Sequence, residues 1–232
     1  MAALLWFGLR RGASLVVASD PPSSGKTTTL SALLPFFPEN AQLYFTRGLG
    51  ERFDLPELSG APIYLMVNEI SDHLPVYSWG ANVQRIFELM AQGYAMASTM
   101  HCDTTDEVIE QLRDDVGVDP SLIGHLTFVL PIEVKWEGGV VRRRSLELSL
   151  LGPAEVNPTR ANLGRWSEET GAYLPADDDS LTQFADRFDL SAASLREDIR
   201  KRAELLSELT ARRVSGEELD QAIAEHDGAS AR

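Results

Sequence analysis

"SLVVASDPPSSGKTTTL", residues 14–30, decides how the rest of the chain is read. The apolar run 14–18 enters a loop of proline, serine and glycine, as a buried strand does. Helix formers follow the loop as far as Leu34, and Pro35 ends the helix they predict. At the junction, Gly25-Lys26-Thr27 completes the pattern G-x-x-x-x-G-K-[ST], in which backbone N–H groups at a helix start hold phosphate. The first glycine of that pattern is Asp20 here. Aspartate tolerates left-handed backbone better than most residues, but it brings a carboxylate close to the loop. Ser23 stands where many such loops have glycine. The donating amides would come from Ser23, Ser24, Gly25, Lys26, Thr27 and Thr28. Pro21 and Pro22 have no N–H, but they precede that stretch. Lys26 would reach the β- and γ-phosphates, and the Thr27 hydroxyl would hold Mg²⁺.

Downstream, "AQLYF" (41–45), "IYLMV" (63–67) and "YAMAST" (94–99) read as further strands. "IYLMV" is apolar throughout, as strands covered on both faces are. "ANVQRIFELMAQG" (81–93) spaces Val83, Ile86, Phe87 and Met90 as one helix face and closes on a glycine. Thr104 and Glu107 predict a capping box at the start of another helix. "LTFVLPIEVKW" and "VVRRRSLELSL" flank Gly138-Gly139 as a β-hairpin. Strands alternating with helices over about 125 residues predict an α/β fold with a parallel sheet. Beyond Leu151 the character changes. The stretch 151–164 reads as a loop, and "GRWSEETGAYLP" reads as a small hairpin near Thr170-Gly171. The remainder reads as helices, with capping boxes at Ser194–Glu197 and Ser215–Glu218. The expected division is 1–151 and 152–232.

Two residues past strand ends carry candidate chemistry. Glu69 follows "IYLMV", where a carboxylate can hold a metal-bound water or orient the attacking one. It is also an ordinary residue for a strand-end turn. His101 follows "YAMAST", where a histidine can sense a γ-phosphate, or simply sit as a satisfied structural side chain. Cys102, the only cysteine, excludes an intrachain disulfide and reads as a packing residue. Arg142, Arg143 and Arg144 read as a solvated edge, or as donors to the phosphate of a neighbouring subunit.

The net charge is −14, and three lysines stand against eighteen arginines. So acidic a chain repels nucleic acid and anionic lipid. A high-salt cytosol and a GC-rich genome both account for this composition. No apolar run is long enough to span a membrane, and a cytosolic location is expected.

Taken together, "SSGKTTTL" followed by "FFP", then "IYLMVNEIS", "IFELMAQGYAMASTMHCDTTDEVIEQL", "GGVVRRRSLELSL" and "RKRAELLSELTARRVSGEELDQAIAEH" resemble the type II/IV secretion-system ATPases. Within them the chain is most similar to the archaeal branch that powers type IV pili and archaella, in a short form without the N-terminal domain. The resemblance implies a RecA-like P-loop NTPase core with a small, mostly helical C-terminal appendage. It implies ATP and Mg²⁺, with Lys26 and Thr27 on phosphate and metal, Glu69 as the Walker B carboxylate and His101 as the His-box histidine. It also implies a homo-oligomer, a hexamer in the family, or a hetero-oligomer with a full-length relative. Pilus or secretion platform proteins would be its partners, at the inner face of the cell membrane. Against that pattern, the acid expected beside Phe45 or Thr46 is missing, with Glu51 displaced from it. The arginine-bearing helical stretch before "IYLMV" is absent. Asn68 replaces the glycine before Glu69, and Ser71 replaces an arginine. The resemblance with these departures predicts ATP binding with weak hydrolysis, in an accessory or regulatory paralogue. An active compact ATPase and a structural interaction domain with an empty loop are the alternatives.

Overall fold

The computed structural model describes residues 1–154 and 157–230. Nine strands form one sheet in the order β2-β3-β4-β1-β5-β7-β8-β9, with β6 paired to β5 alone. β1 (Leu15–Ala18), β2 (Gln42–Phe45), β3 (Ile63–Met66), β4 (Ala95–Met100) and β5 (Phe128–Glu137) run parallel in that order. From β5 onward the pairing is antiparallel, through β6 (Val140–Ser145), β7 (Glu147–Gly152), β8 (Thr159–Ser167) and β9 (Ala172–Pro175). The mixed α/β architecture expected from the sequence is the one observed.

Alternation along β1 sorts the molecule into two layers. Leu15 and Val17 join a core with α1 (Ala2–Leu9), α2 (Lys26–Ala32), α6 (Asp178–Asp186) and α7 (Ala192–Ala211). Val16 and Ala18 join the opposite core, with α3 (Ala81–Ala91) and α4 (Thr105–Glu110). The chain therefore leaves β1 on one face, through α2, and leaves β4 on the other, through α4. Neighbouring strands whose connections depart to opposite faces open a crevice at their carboxyl ends, where α/β proteins bind ligands.

α1 is too short to be stable alone. Tertiary burial holds it: Leu4, Leu5, Trp6, Phe7 and Leu9 are all buried, each stabilising by about 1.5–3 kcal/mol. Asp227, on α8 (Glu217–Ser230), takes donors from Trp6, Arg10 and Arg202 and so ties α1, α7 and α8 together.

Several expectations need correction in detail. The stretch 151–164 is not all loop: β7 runs to Gly152 and β8 begins at Thr159. Ala161 and Leu163 point inward between Arg160 and Asn162, a period-two pattern that the polar residues around it obscure. Residues 155–156 of that stretch lie outside the described residues. The sheet continues across residue 152 through the β7–β8 pairing. α7 starts three residues before the predicted capping box, because Ser191 accepts from the Ser194 amide. α8 starts at Glu217, with its first bonds to the Gly216 carbonyl. At α4 the Thr104 side chain does cap Glu107, but Glu107 reaches back to the amide of Asp103 rather than that of Thr104.

Candidate functional site

The loop after β1, the turn after β3 and the end of β4 converge at the crevice. There they line a cavity of about 460 Å³ with Ser23, Ser24, Gly25, Lys26, Thr27, Thr28, Glu69 and His101. All eight residues singled out from the sequence meet in this one place. Pro22 and Tyr77 complete the lining.

Two residues of the loop are left-handed, Ser23 at φ 59° and Gly25 at φ 105°. The glycine is required at Gly25; Ser23 holds a conformation that costs a side-chain-bearing residue about 1–2 kcal/mol. Asp20, where the glycine of the pattern is missing, is not left-handed and is exposed. That position makes no demand for glycine, which explains how the substitution is accommodated. The Asp20 amide donates to Asp103 Oδ1, and its carbonyl lies 2.8 Å from His101 Nδ1.

The first helical hydrogen bond after the loop runs from the Thr29 amide to the Gly25 carbonyl. Among the described residues, the amides of residues 23–28 donate to no protein acceptor. Backbone N–H groups at a helix start, with the helix dipole behind them, are an arrangement that can accept an anion. Buried polar atoms without partners border the same region: Ser19 Oγ, Ser24 Oγ and Glu69 Oε1. Unpaired buried polar groups are rare in folded proteins and mark places where a ligand or ion completes the bonding.

Lys26 is buried, and its Nζ donates to the Ser19 carbonyl at 2.7 Å. Burial pushes its pKa below the ordinary lysine value, against the opposing pull of Glu69, Asp20 and Asp103. Glu69 is nearly buried, and His101 Nε2 lies 3.3 Å from its Oε1 without hydrogen-bond alignment. Thr27 is exposed. It also borders a smaller apolar cavity of about 150 Å³, with Leu30, Phe45, Met66 and Asn68.

The arginine triplet divides. Arg142 and Arg144 pair with Glu137, and Arg144 also covers the Trp166 ring. Arg143 reaches no carboxylate among the described residues and instead donates to the Ser23 carbonyl at 3.2 Å, in the same chain. The sequence reading of these arginines, as a solvated edge or as donors to a neighbouring subunit's phosphate, does not include this contact within the chain. The hairpin spacing was legible, but nothing in it says that β6 leans over the loop. Tyr77 was missed altogether, since no motif marks it.

Glu51 has a different fate. Burial pushes its carboxyl up, but donation from the Tyr44 hydroxyl and the amides of Phe53, Arg47 and Arg52 outweighs that and holds it below the ordinary value. Its oxygens are spent on its own loop and on the Tyr44 hydroxyl.

Compared with known families, the chain matches no family model. It is 28% identical, over 171 residues, to an uncharacterized protein of Methanocaldococcus jannaschii; the match covers 62% of this chain and 29% of that protein. The chain thus spans under a third of that relative's length. Among solved structures, it is similar to the VirB11 ATPase of the Brucella suis type IV secretion system, solved in complex with sulphate. That likeness has a TM-score of 0.45 at 16% identity and covers 63% of this chain and half of the other. No helix among the described residues is long and apolar enough to cross a membrane.

Proposed function

We propose that this chain is a P-loop ATP-binding protein related to the secretion and pilus motor ATPases, and that it acts as an accessory or regulatory paralogue with weak hydrolysis. The observation that carries the reading is the run of free amides over residues 23–28, closed by Lys26 and faced by Glu69. The donor set fits a triphosphate. Ser23–Thr28 would supply backbone N–H groups, Lys26 a charge, and Thr27 with Glu69 oxygen ligands for Mg²⁺ or its waters. A metal held there would supply neutralisation of the charge that develops on the transferring phosphoryl group. Lys26 would leave the Ser19 carbonyl to meet phosphate. His101 would link that loop to Glu69.

Weak hydrolysis follows from what is already engaged. Glu51 is committed to four donors, three amides of its own loop and the Tyr44 hydroxyl on β2, and is not free to orient a water. Ser71 is buried and uncharged where the family resemblance implies an arginine. An arginine on the transferring phosphoryl group can contribute roughly 10³–10⁵ in rate. Binding rests on amides and Lys26, so it survives these losses. Residues 1–151 would carry the nucleotide and 152–232 would buttress them. The protein would work in the cytoplasm, in an oligomer with its own kind or with a full-length relative.

Arg143 favours a second reading, an active compact ATPase, because it places one guanidinium at the loop in cis. Titration with Mg-ATP and phosphate release, on wild type and Lys26→Ala, separates the readings. Lysine-dependent binding with slow release is expected. Brisk lysine-dependent release would establish the second reading. No binding would leave a structural domain.

A further inference from the structure

A cavity of about 690 Å³ lies at the opposite end of the sheet from the loop. It opens beneath the starts of β1, β4 and β5, between Ser14, Tyr94 and Thr127, and α6 closes one side. Its volume is that of a small-molecule pocket. Met90, Leu151, Pro153 and Phe188 give it apolar walls, and Arg187 and His125 supply polar groups.

Arg187 is the unexplained member. Among the described residues, the arginines that reach no carboxylate are Arg47, Arg52, Arg143, Arg165, Arg187 and Arg213, and all but Arg187 are exposed. Arg187 is sheltered, and only one of its nitrogens is engaged: Nη2 donates to the Gly124 carbonyl at 3.0 Å and to Thr127 Oγ1 at 3.4 Å. The rest of its planar fork is left without an acceptor. A half-buried guanidinium with no carboxylate partner among the described residues is poorly compensated, and an anion at the open side of its fork would supply charge-assisted hydrogen bonds. In a chain of net charge −14, such a cation against an apolar wall is not general surface chemistry. Burial lowers the pKa of Arg187, with no carboxylate among the described residues offsetting it. Burial, with Arg187 beside it, also pushes the His125 imidazole down, so that ring can bond a ligand without adding charge. Arg11 borders the cavity too, but it is shared with Asp198. Asp186 is exposed at the rim.

We propose that this cavity binds a small organic anion, a carboxylate or phosphate head on an apolar body, with Arg187 as the counter-charge. The site is separate from the nucleotide loop and does not depend on it.

The probes are phenyl phosphate, phenylacetate, uncharged phenylacetamide and inorganic phosphate, titrated against the full chain and followed by amide NMR. Saturable shifts at Gly93, Tyr94 and Thr127 with the two aromatic anions, and weaker ones with inorganic phosphate, are expected. Arg187→Gln should weaken binding roughly tenfold, the loss of one charged hydrogen bond. Gln183 lies exposed on the cavity wall. Gln183→Glu therefore adds a repelling charge without touching packing, and should weaken binding about threefold even if the Arg187 variant fails to fold. Three outcomes overturn the proposal: no saturation in wild type up to about 10 mM, phenylacetamide binding as tightly as phenylacetate, or anion binding that vanishes in Lys26→Ala and therefore belongs to the loop.

Discussion

His101 Nε2 stands 3.3 Å from Glu69 Oε1, while the other ring nitrogen lies 2.8 Å from the Asp20 carbonyl. A carbonyl only accepts, so Nδ1 carries the proton and donates it there. The ring is thereby bonded to the first residue of the loop and stands beside Glu69 at the end of β3; the Glu69 Oε1 has no hydrogen-bond partner among the described residues. The pair is partly exposed, so its removal should cost less than about 1 kcal/mol of stability. Its effect on nucleotide should be larger, because the loop loses the hydrogen bond from His101 to the Asp20 carbonyl. His101→Ala is expected to weaken Mg-ATP about three- to tenfold, or roughly 0.6–1.4 kcal/mol, with the melting temperature nearly unchanged. Fluorescence titration beside a thermal melt reads both. Unaltered affinity would remove His101 from the site.

Arg143 tests whether the loop is served from within the chain. Its guanidinium donates to the Ser23 carbonyl, and its Cδ lies 3.3 Å from where a Cβ on Gly25 would sit. Hydrogen bonds to charged groups contribute about 1.5–3 kcal/mol. If the guanidinium turns to phosphate, Arg143→Ala should cost roughly tenfold or more in ATP affinity, while Arg143→Lys retains part of it. A loss confined to ATP, with ADP unaffected, would put the contact on the γ-phosphate. Equal affinities in wild type and Arg143→Ala would mean that the arginine only braces the loop.

Much of this site was legible because β/α alternation carries its own address. An apolar run followed by Gly-Lys-Thr, and two more runs followed by Glu69 and His101, put those residues at strand ends. Parallel strands then bring their carboxyl ends together. What the sequence does not encode locally is which distant segment covers the loop. Arg143 is 120 residues from Ser23, and its approach depends on how β6 leaves the sheet. The strand β8 was hidden for a related reason. Its alternation is short and carries Arg160 and Asn162 on the outward positions, both held by Glu147. The start of α7 was misplaced because two serines, Ser191 and Ser194, stand one turn apart and either suits an N-cap.

Glu51 offers a test on the acid side. Its folded-state pKa lies below the ordinary value, held there by the four donors around it despite burial. A depressed carboxylate contributes stability that is present above the unfolded pKa, 4.5 here, and is lost as the pH falls through the folded one. Glu51→Gln should therefore destabilise at pH 7 by about 1–3 kcal/mol, with the difference from wild type shrinking below pH 4.5. Denaturant melts of both proteins between pH 3 and 7 measure this. Mg-ATP affinity should not move, since the carboxylate is spent on Tyr44 and on the amides of residues 47, 52 and 53. A large loss of phosphate release in Glu51→Gln would return it to the water-positioning role denied it here.

Cys102 gives the matching test on the alkaline side. It is buried beside His101, with Sγ 3.4 Å from Gln111 Oε1. Burial, aided by Glu107, Asp103, Asp20 and Asp115, pushes the thiol up to about 12 from an ordinary value of 9.0. Between those two pH values the unfolded chain has given up the proton and the folded one has not. The unfolded state then binds fewer protons, so stability falls as pH rises, by up to about 1.4 kcal/mol per pH unit from this group. Tyr44 and Tyr64 are raised in the same sense, so the wild-type slope alone does not isolate the thiol. The difference between wild type and Cys102→Ala does, because the tyrosines cancel. That difference should be flat below pH 9 and should move in favour of the variant above it. At pH 8 the native thiol should resist a disulfide reagent and react at the rate of unfolding, since the thiolate is the reacting species. Prompt modification of the folded protein at pH 8 would mean that the end of β4 opens to solvent, and that the Glu69–His101 pairing above it is looser than the geometry shows.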